Sequence, residues 1–192
     1  MNIKLTDFVI SDLHIGHDNI LEYCRGEFGT LDHMHEVMIE RWNSVVGPND
    51  TAIILGDVTI GPWKKALPVF EQLNGTKHLI MGNHDTASID VLMDWFGHIH
   101  SIGQCWLRKP TNWAKGSHDG SRAVFTHVPV HPQCMDRWDY NVHGHLHAKL
   151  VRAKDNDSTP IDARYINVSC EQLDYAPIRV QNLFSVTEKE IP

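Results

Sequence analysis

The sequence predicts an α/β fold in which two sheets pack against each other. In the first half of the chain, short apolar runs alternate with helical patterns, which favours parallel strands joined by right-handed crossovers. In the second half, strand-like runs follow one another with polar loops between them, which indicates a second sheet packed on the first. We find no internal repeat, low-complexity tract or linker, and we expect a single domain over residues 1–192.

The first three strands are predicted at 8–10, 51–55 and 79–81. Each is a short apolar run of the kind found in strands that are buried on both faces. Between the first two strands, Asp18 and Asp32 suit the starts of two helices. This order of elements predicts parallel pairing of the three strands.

An apolar stripe predicts that the helix beginning at Asp32 buries one face. The members of the stripe recur at helical spacing and are Met34, Val37, Met38, Trp42 and Val45. A third helix is predicted over 62–73, because Pro62 suits a first helical position and Gly75 suits the residue after a helix end. Pro68 is expected to bend this helix.

A fourth helix and four strand-like runs are predicted in the second half. The helix covers 89–96, and the strand-like runs cover 98–107, 122–126, 139–143 and 165–169. The segments 109–121 and 154–160 are polar and contain glycine or proline, so they are predicted to be loops.

The composition argues against several classes of protein. A net charge of −7 argues against a chain whose main task is to grip a nucleic-acid backbone. The 4 cysteines form no Cys-x-x-Cys pair, so neither a thiolate zinc site nor a disulfide framework is expected, which fits a reducing compartment. The amino-terminal residues are not apolar enough for a signal peptide, and no run approaches membrane-spanning length. We therefore expect a cytoplasmic protein without a membrane partner.

Side chains that can bind metal follow the ends of five predicted strands. In chain order they are Asp12 and His14; Asp57; Asn83 with His84 and Asp85; His127; and His145 with His147. Ligand sites in open α/β sheets lie beyond the carboxyl ends of the strands, so we expect these side chains to share one site. If the segments are extended, alternation places Asp12 and His14 on one face, and His143, His145 and His147 on another. Gly144 removes bulk beside these imidazoles.

Structural interpretations compete with each motif. The segment 82–85 alone would suit a surface turn, and Asp12 or Asp57 could cap a helix. Asp18 and Pro62 are better placed at those helix starts, which favours ligand roles for the two aspartates. Four other histidines have no comparable partners and are interpreted as loop or packing residues; they are His98, His100, His118 and His131.

The predicted ligands are too many for one transition-metal ion and suit two ions that share one carboxylate. They are Asp12, His14, Asp57, Asn83, His127, His145 and His147. Asp57 is the expected bridge, because a carboxylate has two oxygens and this one follows a central strand. Two divalent cations bring four positive charges against two aspartates, and the surplus of about two suits an anionic phosphate with a metal-activated hydroxide.

His84 is left over as a proton donor. Asp85 is expected to keep its imidazole charged and oriented toward the leaving oxygen. On the substrate side, Arg25 could grip two phosphate oxygens, and His17 and Asn19 could line the site. Solvated loop positions are the alternative for these three residues.

Taken in order, the motifs resemble those of the calcineurin-like metallophosphoesterases. They are Asp12-x-His14, Gly56-Asp57, Gly82-Asn83-His84-Asp85, His127 and Gly144-His145-x-His147. The resemblance implies a four-layer α-β-β-α sandwich of two packed mixed sheets with helices outside. It also implies one metal on Asp12, His14, Asp57 and His147, and another on Asp57, Asn83, His127 and His145. The short chain and the segments 11–20 and 42–47 are similar to a compact bacterial and phage branch without a cap domain, which implies an open site.

We therefore expect a phosphodiesterase that holds two divalent transition-metal ions, with Mn favoured and Fe, Ni, Co and Zn also suited to these ligands. Its substrates would be small or nucleotide-like phosphodiesters, 2′,3′-cyclic nucleotides among them, attacked in line by a metal-bridging hydroxide. A phosphomonoesterase is the alternative. The acidic total and the scattered basic residues argue against a nuclease and against stable nucleic-acid binding. The complete ligand set argues against a non-catalytic binding module, and the sequence does not predict an oligomeric state.

Overall fold

Two mixed sheets with helices around them form the fold in the computed structural model, which describes residues 1–87, 89–108, 120–154 and 159–188. The α/β class predicted from the sequence is confirmed. The strands are β1 (Phe8–Ile10), β2 (Thr51–Ile54), β3 (Thr76–Ile80), β4 (His98–His100), β5 (Gly103–Arg108), β6 (Ser121–Phe125), β7 (Tyr140–His143), β8 (Tyr165–Asn167) and β9 (Ile178–Arg179). The helices are α1 (Ile20–Tyr23), α2 (Leu31–Val45), α3 (Trp63–Phe70), α4 (Ile89–Met93), α5 (Cys170–Leu173) and α6 (Phe184–Glu188).

The first sheet has the strand order β4-β3-β2-β1-β9. Its first four strands are parallel, with Val9 paired to Ile53 and Ile53 paired to His78, and only β9 runs antiparallel to its neighbour β1. This confirms the parallel pairing expected from the alternation of strands and helices. The carboxyl ends of β1, β2 and β3 consequently lie at one edge of the sheet.

The second sheet has the order β5-β6-β7-β8, in which β6, β7 and β8 are parallel and β5 is antiparallel to β6. The two sheets meet where β1 and β8 end. There the backbone nitrogen of Ser11 donates to Val168 O at 2.9 Å, and the nitrogen of Cys170 donates to Ser11 O at 3.1 Å. The strand ends of both sheets are therefore brought to one place.

The prediction of a single strand over 98–107 is wrong. The structure has two strands there, β4 and β5, which belong to different sheets. The backbone of β5 pairs with the amino-terminal segment as well as with β6: Ile3 N donates to Gln104 O at 2.9 Å, and Gln104 N donates to Met1 O at 3.0 Å. The helices predicted over 62–73 and 89–96 are shorter, since α3 and α4 end at Phe70 and Met93. The predicted loop 109–121 falls mostly outside the described residues, as does His118.

Helix α2 packs the predicted apolar stripe into the core. Met34, Met38 and Trp42 are fully buried, whereas Val45 is 39% exposed and the next residue, Val46, takes the buried position. The Trp42 indole Nε1 donates to the Asn74 carbonyl oxygen at 3.0 Å, which satisfies its polar atom within the core. Within the described ranges, no helix is both long and apolar enough to cross a membrane.

His143 is a buried histidine at the end of β7, with no exposed surface. Its Nδ1 lies 2.8 Å from Gly144 O, and its Nε2 has no hydrogen-bond partner among the described residues. Burial lowers its pKa to about 4, although the contact with Gly144 O opposes the shift. His143 is thus neutral in the folded chain at a pH where an unfolded chain would protonate it.

We expect the free energy of unfolding, measured with a chelator present, to fall as pH drops from 6.5 toward about 4. The unfolded chain gains a proton at His143 in this window and the folded chain does not, so His143 contributes a slope of about 1.4 kcal/mol per pH unit. Urea unfolding of His143→Gln across the window should show a shallower pH slope than the unchanged protein. The exposed His33, changed to Gln, is the matched control. An unaltered slope in His143→Gln would contradict the assignment.

Candidate metal centre

Two groups of potential metal ligands converge at the strand ends. In each group, one ligand atom per side chain lies within 4.8 Å of the others. The first group is Asp12, His14 and His147, and the second is Asp57, His127 and His145. His14 Nε2 lies 4.0 Å from Asp12 Oδ1 and 3.9 Å from Asp57 Oδ2, so the Asp57 carboxylate adjoins both groups.

The surroundings of the His14 ring show whether a cation fits the first group. Both of its ring nitrogens are buried and have no hydrogen-bond partner in the described part of the chain. Burial and the charge of Arg25 lower the pKa of His14 to about 3, against the attraction of Asp57. The imidazole is therefore neutral, which is the form that binds metal, and a cation would satisfy a nitrogen that is otherwise unpaired.

A backbone carbonyl fixes which ring nitrogen of His127 faces the second group of potential ligands. Its Nδ1 lies 2.7 Å from Leu55 O, and because a carbonyl can only accept, Nδ1 carries the proton. Its Nε2 faces Asp57 Oδ2 at 3.3 Å and Asn83 Oδ1 at 2.9 Å. Burial alone would lower the pKa of His127, but the hydrogen bond with Asp57 and the charges of Asp12 and Asp57 outweigh it and raise the pKa. A cation among these atoms would replace the shared proton.

Five of the predicted ligands have left-handed backbone conformations. They are Asp12, His14, Asp57, His145 and His147, with φ between 50° and 68°. Among the other described non-glycine residues, only Asp174 and Tyr175 have positive φ. The segments are thus not extended, and the alternation argument for why these side chains converge is wrong. Each such residue costs about 1–3 kcal/mol, and residues of this kind concentrate at functional sites.

Gly144 allows the loop after β7 to pass directly against the loop after β1. A Cβ at this position would overlap the Ser11 hydroxyl oxygen and one Asp12 carboxylate oxygen. The next backbone nitrogen, of His145, donates to Asp12 Oδ2 at 2.9 Å and to Oδ1 at 3.2 Å. The two sheets therefore contribute to one site through a contact that only glycine permits.

The chain is similar in sequence to several known proteins. No family model matches it. The Gene 66 protein of Mycobacterium phage L5 is 30% identical over 165 residues, which cover 75% of this chain and 78% of that protein. This chain belongs to the Gene 66 protein family. An uncharacterized protein of Methanocaldococcus jannaschii, 28% identical over 187 residues, covers 95% of the chain, and the match covers 91% of that protein.

A solved structure shares the fold of this Gene 66 family member. A protein of unknown function from Aquifex aeolicus has a TM-score of 0.63 and 25% identity, with 93% of this chain and 97% of that chain covered. A conserved uncharacterized protein from Streptococcus pneumoniae, described as a predicted phosphoesterase, has a TM-score of only 0.30 and 15% identity over 84% of this chain and 69% of that chain. The second similarity is too weak to support an argument about this chain.

Asp85 and His84 differ from the expected pair. The Asp85 carboxylate accepts hydrogen bonds from the backbone nitrogens of Asp57, Val58 and Gly82, at 3.0, 3.1 and 2.8 Å. In the described contacts, no hydrogen bond or ion pair joins it to His84, so the expected orienting pair is not observed. Asp85 instead holds the loops after β2 and β3 together. The His84 side chain is 46% exposed, and its Nε2 lies 4.0 Å from Asp57 Oδ2.

Arg25 does not occupy the substrate side predicted for it. Its side chain is fully buried, and its guanidinium donates to Leu13 O at 2.9 Å, to Asp12 O at 2.5 Å and to Glu171 Oε1 at 2.8 Å. It therefore cannot grip a phosphate in this arrangement. His17 does lie beside the predicted ligands, with its ring 5.4 Å from the ring of His14.

Glu171 is a residue at the site that the sequence analysis missed. It lies in the first turn of α5, just after β8, and its Oε1 is 2.9 Å from His147 Nδ1. Burial raises the pKa of Glu171, but the contacts with His147 and Arg25 outweigh burial and lower the pKa to about 2. The signal was available, because Glu171 follows a predicted strand end as the other site residues do.

Proposed function

We propose that this protein is a calcineurin-like phosphoesterase that binds two divalent transition-metal cations and hydrolyses phosphodiesters. The observation that carries the proposal is the convergence of two groups of metal-ligating side chains on the single Asp57 carboxylate. Two cations that share a ligand, about 3.5–4 Å apart, are the arrangement used for in-line displacement at phosphorus. The two ring nitrogens of His14, which have no hydrogen-bond partner within the described ranges, support the fit of a cation to this site.

The ligand set also limits which cation would bind. One cation would be held by Asp12, His14, Asp57 and His147, and the other by Asp57, Asn83, His127 and His145. Imidazole with carboxylate and amide oxygens suits Mn, Fe, Ni, Co or Zn better than the all-oxygen ligand set of calcium. We propose Mn as the preferred metal. When bound, the cations would supply a nucleophile at neutral pH and neutralise charge on the phosphate.

His84 is the side chain that we propose acts on the leaving group. Its backbone nitrogen donates to Asp57 Oδ1 at 2.9 Å, while its half-exposed imidazole faces the other Asp57 oxygen at 4.0 Å. The residue is thus fixed to the shared carboxylate through its backbone and leaves its ring open to substrate. A protonated His84 would donate its proton to the leaving oxygen as the ester bond breaks.

The burial of Arg25 favours a diester over a monoester. A phosphate monoester is a dianion for which a guanidinium clamp would be useful. Arg25 is the arginine that the sequence nominated for this task, and its donors are occupied by Asp12 O, Leu13 O and Glu171. A diester carries one negative charge and has a poorer leaving group. Its hydrolysis would therefore depend more on a proton from His84 than on an arginine that binds the phosphate.

The proposal is tested with metal-stripped protein that is restored separately with Mn, Fe, Ni, Co or Zn. We expect hydrolysis of bis-p-nitrophenyl phosphate and 2′,3′-cyclic nucleotides to exceed that of p-nitrophenyl phosphate, with the highest rate in Mn. Asp57→Asn, which keeps the side-chain volume and removes the shared charge, is the control for contaminating phosphatases. Faster monoester turnover would establish a phosphomonoesterase, and a chain that binds none of these metals would refute the proposal.

His84→Ala is expected to lower kcat by about 10²–10⁴-fold, the usual contribution of a general acid, while metal analysis still finds both cations. The His84 ring is not in either ligand group, so its removal should leave metal binding intact. The exposed His131, changed to Ala, is the matched control. Unchanged turnover in His84→Ala would remove His84 from the mechanism.

A further inference from the structure

We propose that Glu171, anchored by Arg25, is a positioning residue that holds His147 in the orientation needed to bind the first of the two cations. This inference rests on the proposed function and names residues outside both predicted ligand sets. His147 and Arg25 both contact one carboxylate oxygen of Glu171. Glu171 Oε1 lies 2.9 Å from His147 Nδ1 and 2.8 Å from Arg25 Nε.

The contact with Glu171 fixes which nitrogen of His147 can bind metal. A carboxylate only accepts hydrogen bonds, so Nδ1 of His147 carries the proton and donates it to Oε1. Nε2 is then the nitrogen with a free lone pair. The His147 ring stacks on the His14 ring at 5.1 Å, which keeps it beside the first ligand group. A carboxylate that orients a metal-binding histidine in this way is a frequent partner of metal ligands.

Arg25 links this contact to the opposite side of the site. The same guanidinium that donates to Glu171 also donates to the carbonyl oxygens of Asp12 and Leu13, in the loop after β1. Asp12 and His14 come from that loop, whereas Glu171 is 146 positions away from Arg25 in sequence. The ion pair is buried, with side chains 0% and 9% exposed. It therefore connects the loop after β1, which carries Asp12 and His14, to the carboxylate that contacts His147.

The neighbouring Cys24 offers a competing interpretation. Its Sγ lies 3.4 Å from Glu171 Oε1 and 3.8 Å from His147 Nδ1, so Cys24, His147 and Glu171 could themselves hold a cation. The Arg25 guanidinium argues against this, because it already places a buried positive charge 2.8 Å from the same oxygen. We therefore assign Glu171 to His147 and not to a separate metal.

Glu171→Gln is the variant that tests the assignment. Glu171 makes its polar contacts through Oε1, and Oε2 has no partner in the described part of the chain, so a glutamine can keep an acceptor toward both His147 and Arg25. The variant therefore removes the charge and keeps an acceptor at Oε1, while an amide nitrogen replaces Oε2. Glu171→Met, which removes the acceptor as well, is the stronger second variant. Cys24→Ser touches the same two side chains and is the matched control.

The measurement is titration of the metal-stripped full chain with Mn²⁺, with free Mn²⁺ followed by electron paramagnetic resonance. We expect two sites in the unchanged protein and in Cys24→Ser. In Glu171→Gln, one site should weaken by about tenfold while the other keeps its affinity, and in Glu171→Met the loss should approach about 100-fold. Excess Mn²⁺ should restore kcat in Glu171→Gln, a rescue that general structural damage would not permit.

Several outcomes would overturn the assignment. Two unchanged sites in Glu171→Gln and Glu171→Met would show that Glu171 does not position His147, while the proposed function would stand. Equal weakening of both sites would contradict a role specific to one cation. A lost site in Cys24→Ser would favour a cation bound by Cys24. An unchanged protein that binds no Mn²⁺ would overturn both this inference and the proposed function.

Discussion

The carboxylate of Asp57 adjoins two groups of side chains that could hold a metal ion, just after a central strand of the first sheet. Its Oδ2 faces His14, His84 and His127 at 3.9, 4.0 and 3.3 Å, and its Oδ1 accepts from the His84 backbone. Its own backbone nitrogen donates to Asp85. Asp57 belongs to one group and adjoins the other through His14, so the arrangement of the site depends on where this side chain is held.

The backbone at Asp57 and at its neighbours in the site is strained, and buried hydrogen bonds stabilise it. Asp57 and four other predicted ligands have left-handed conformations, each of which costs about 1–3 kcal/mol. The buried Asp85 carboxylate offsets part of this cost by binding three backbone nitrogens of the two loops. On the other side, the buried Arg25 ties the loop after β1 to Glu171. The buried charges of Asp85 and Arg25 would be costly alone, but backbone groups of the loops that carry the predicted ligands satisfy them.

The sequence predicted the parallel first sheet and the convergence of the ligands, because apolar runs followed by polar residues report strand ends directly. It could not predict the left-handed turns, because non-glycine residues are uncommon in that conformation. Extended strands with alternating side chains would have brought the same residues together for another reason. It misplaced Arg25 because a charged residue is expected at the surface, and burial depends on Glu171, far away in sequence. The strand predicted over 98–107 failed because pairing with the amino-terminal segment is a tertiary contact.

Two cations that share the Asp57 carboxylate are the centre of the proposed site, and anomalous diffraction from crystals of the full chain grown with Mn²⁺ tests for them directly. We expect two anomalous peaks about 3.5–4 Å apart, one on each side of Asp57, with Asp12, His14 and His147 around one and Asn83, His127 and His145 around the other. A single peak, or a peak bound by Cys24 and Glu171 without Asp57, would contradict the account.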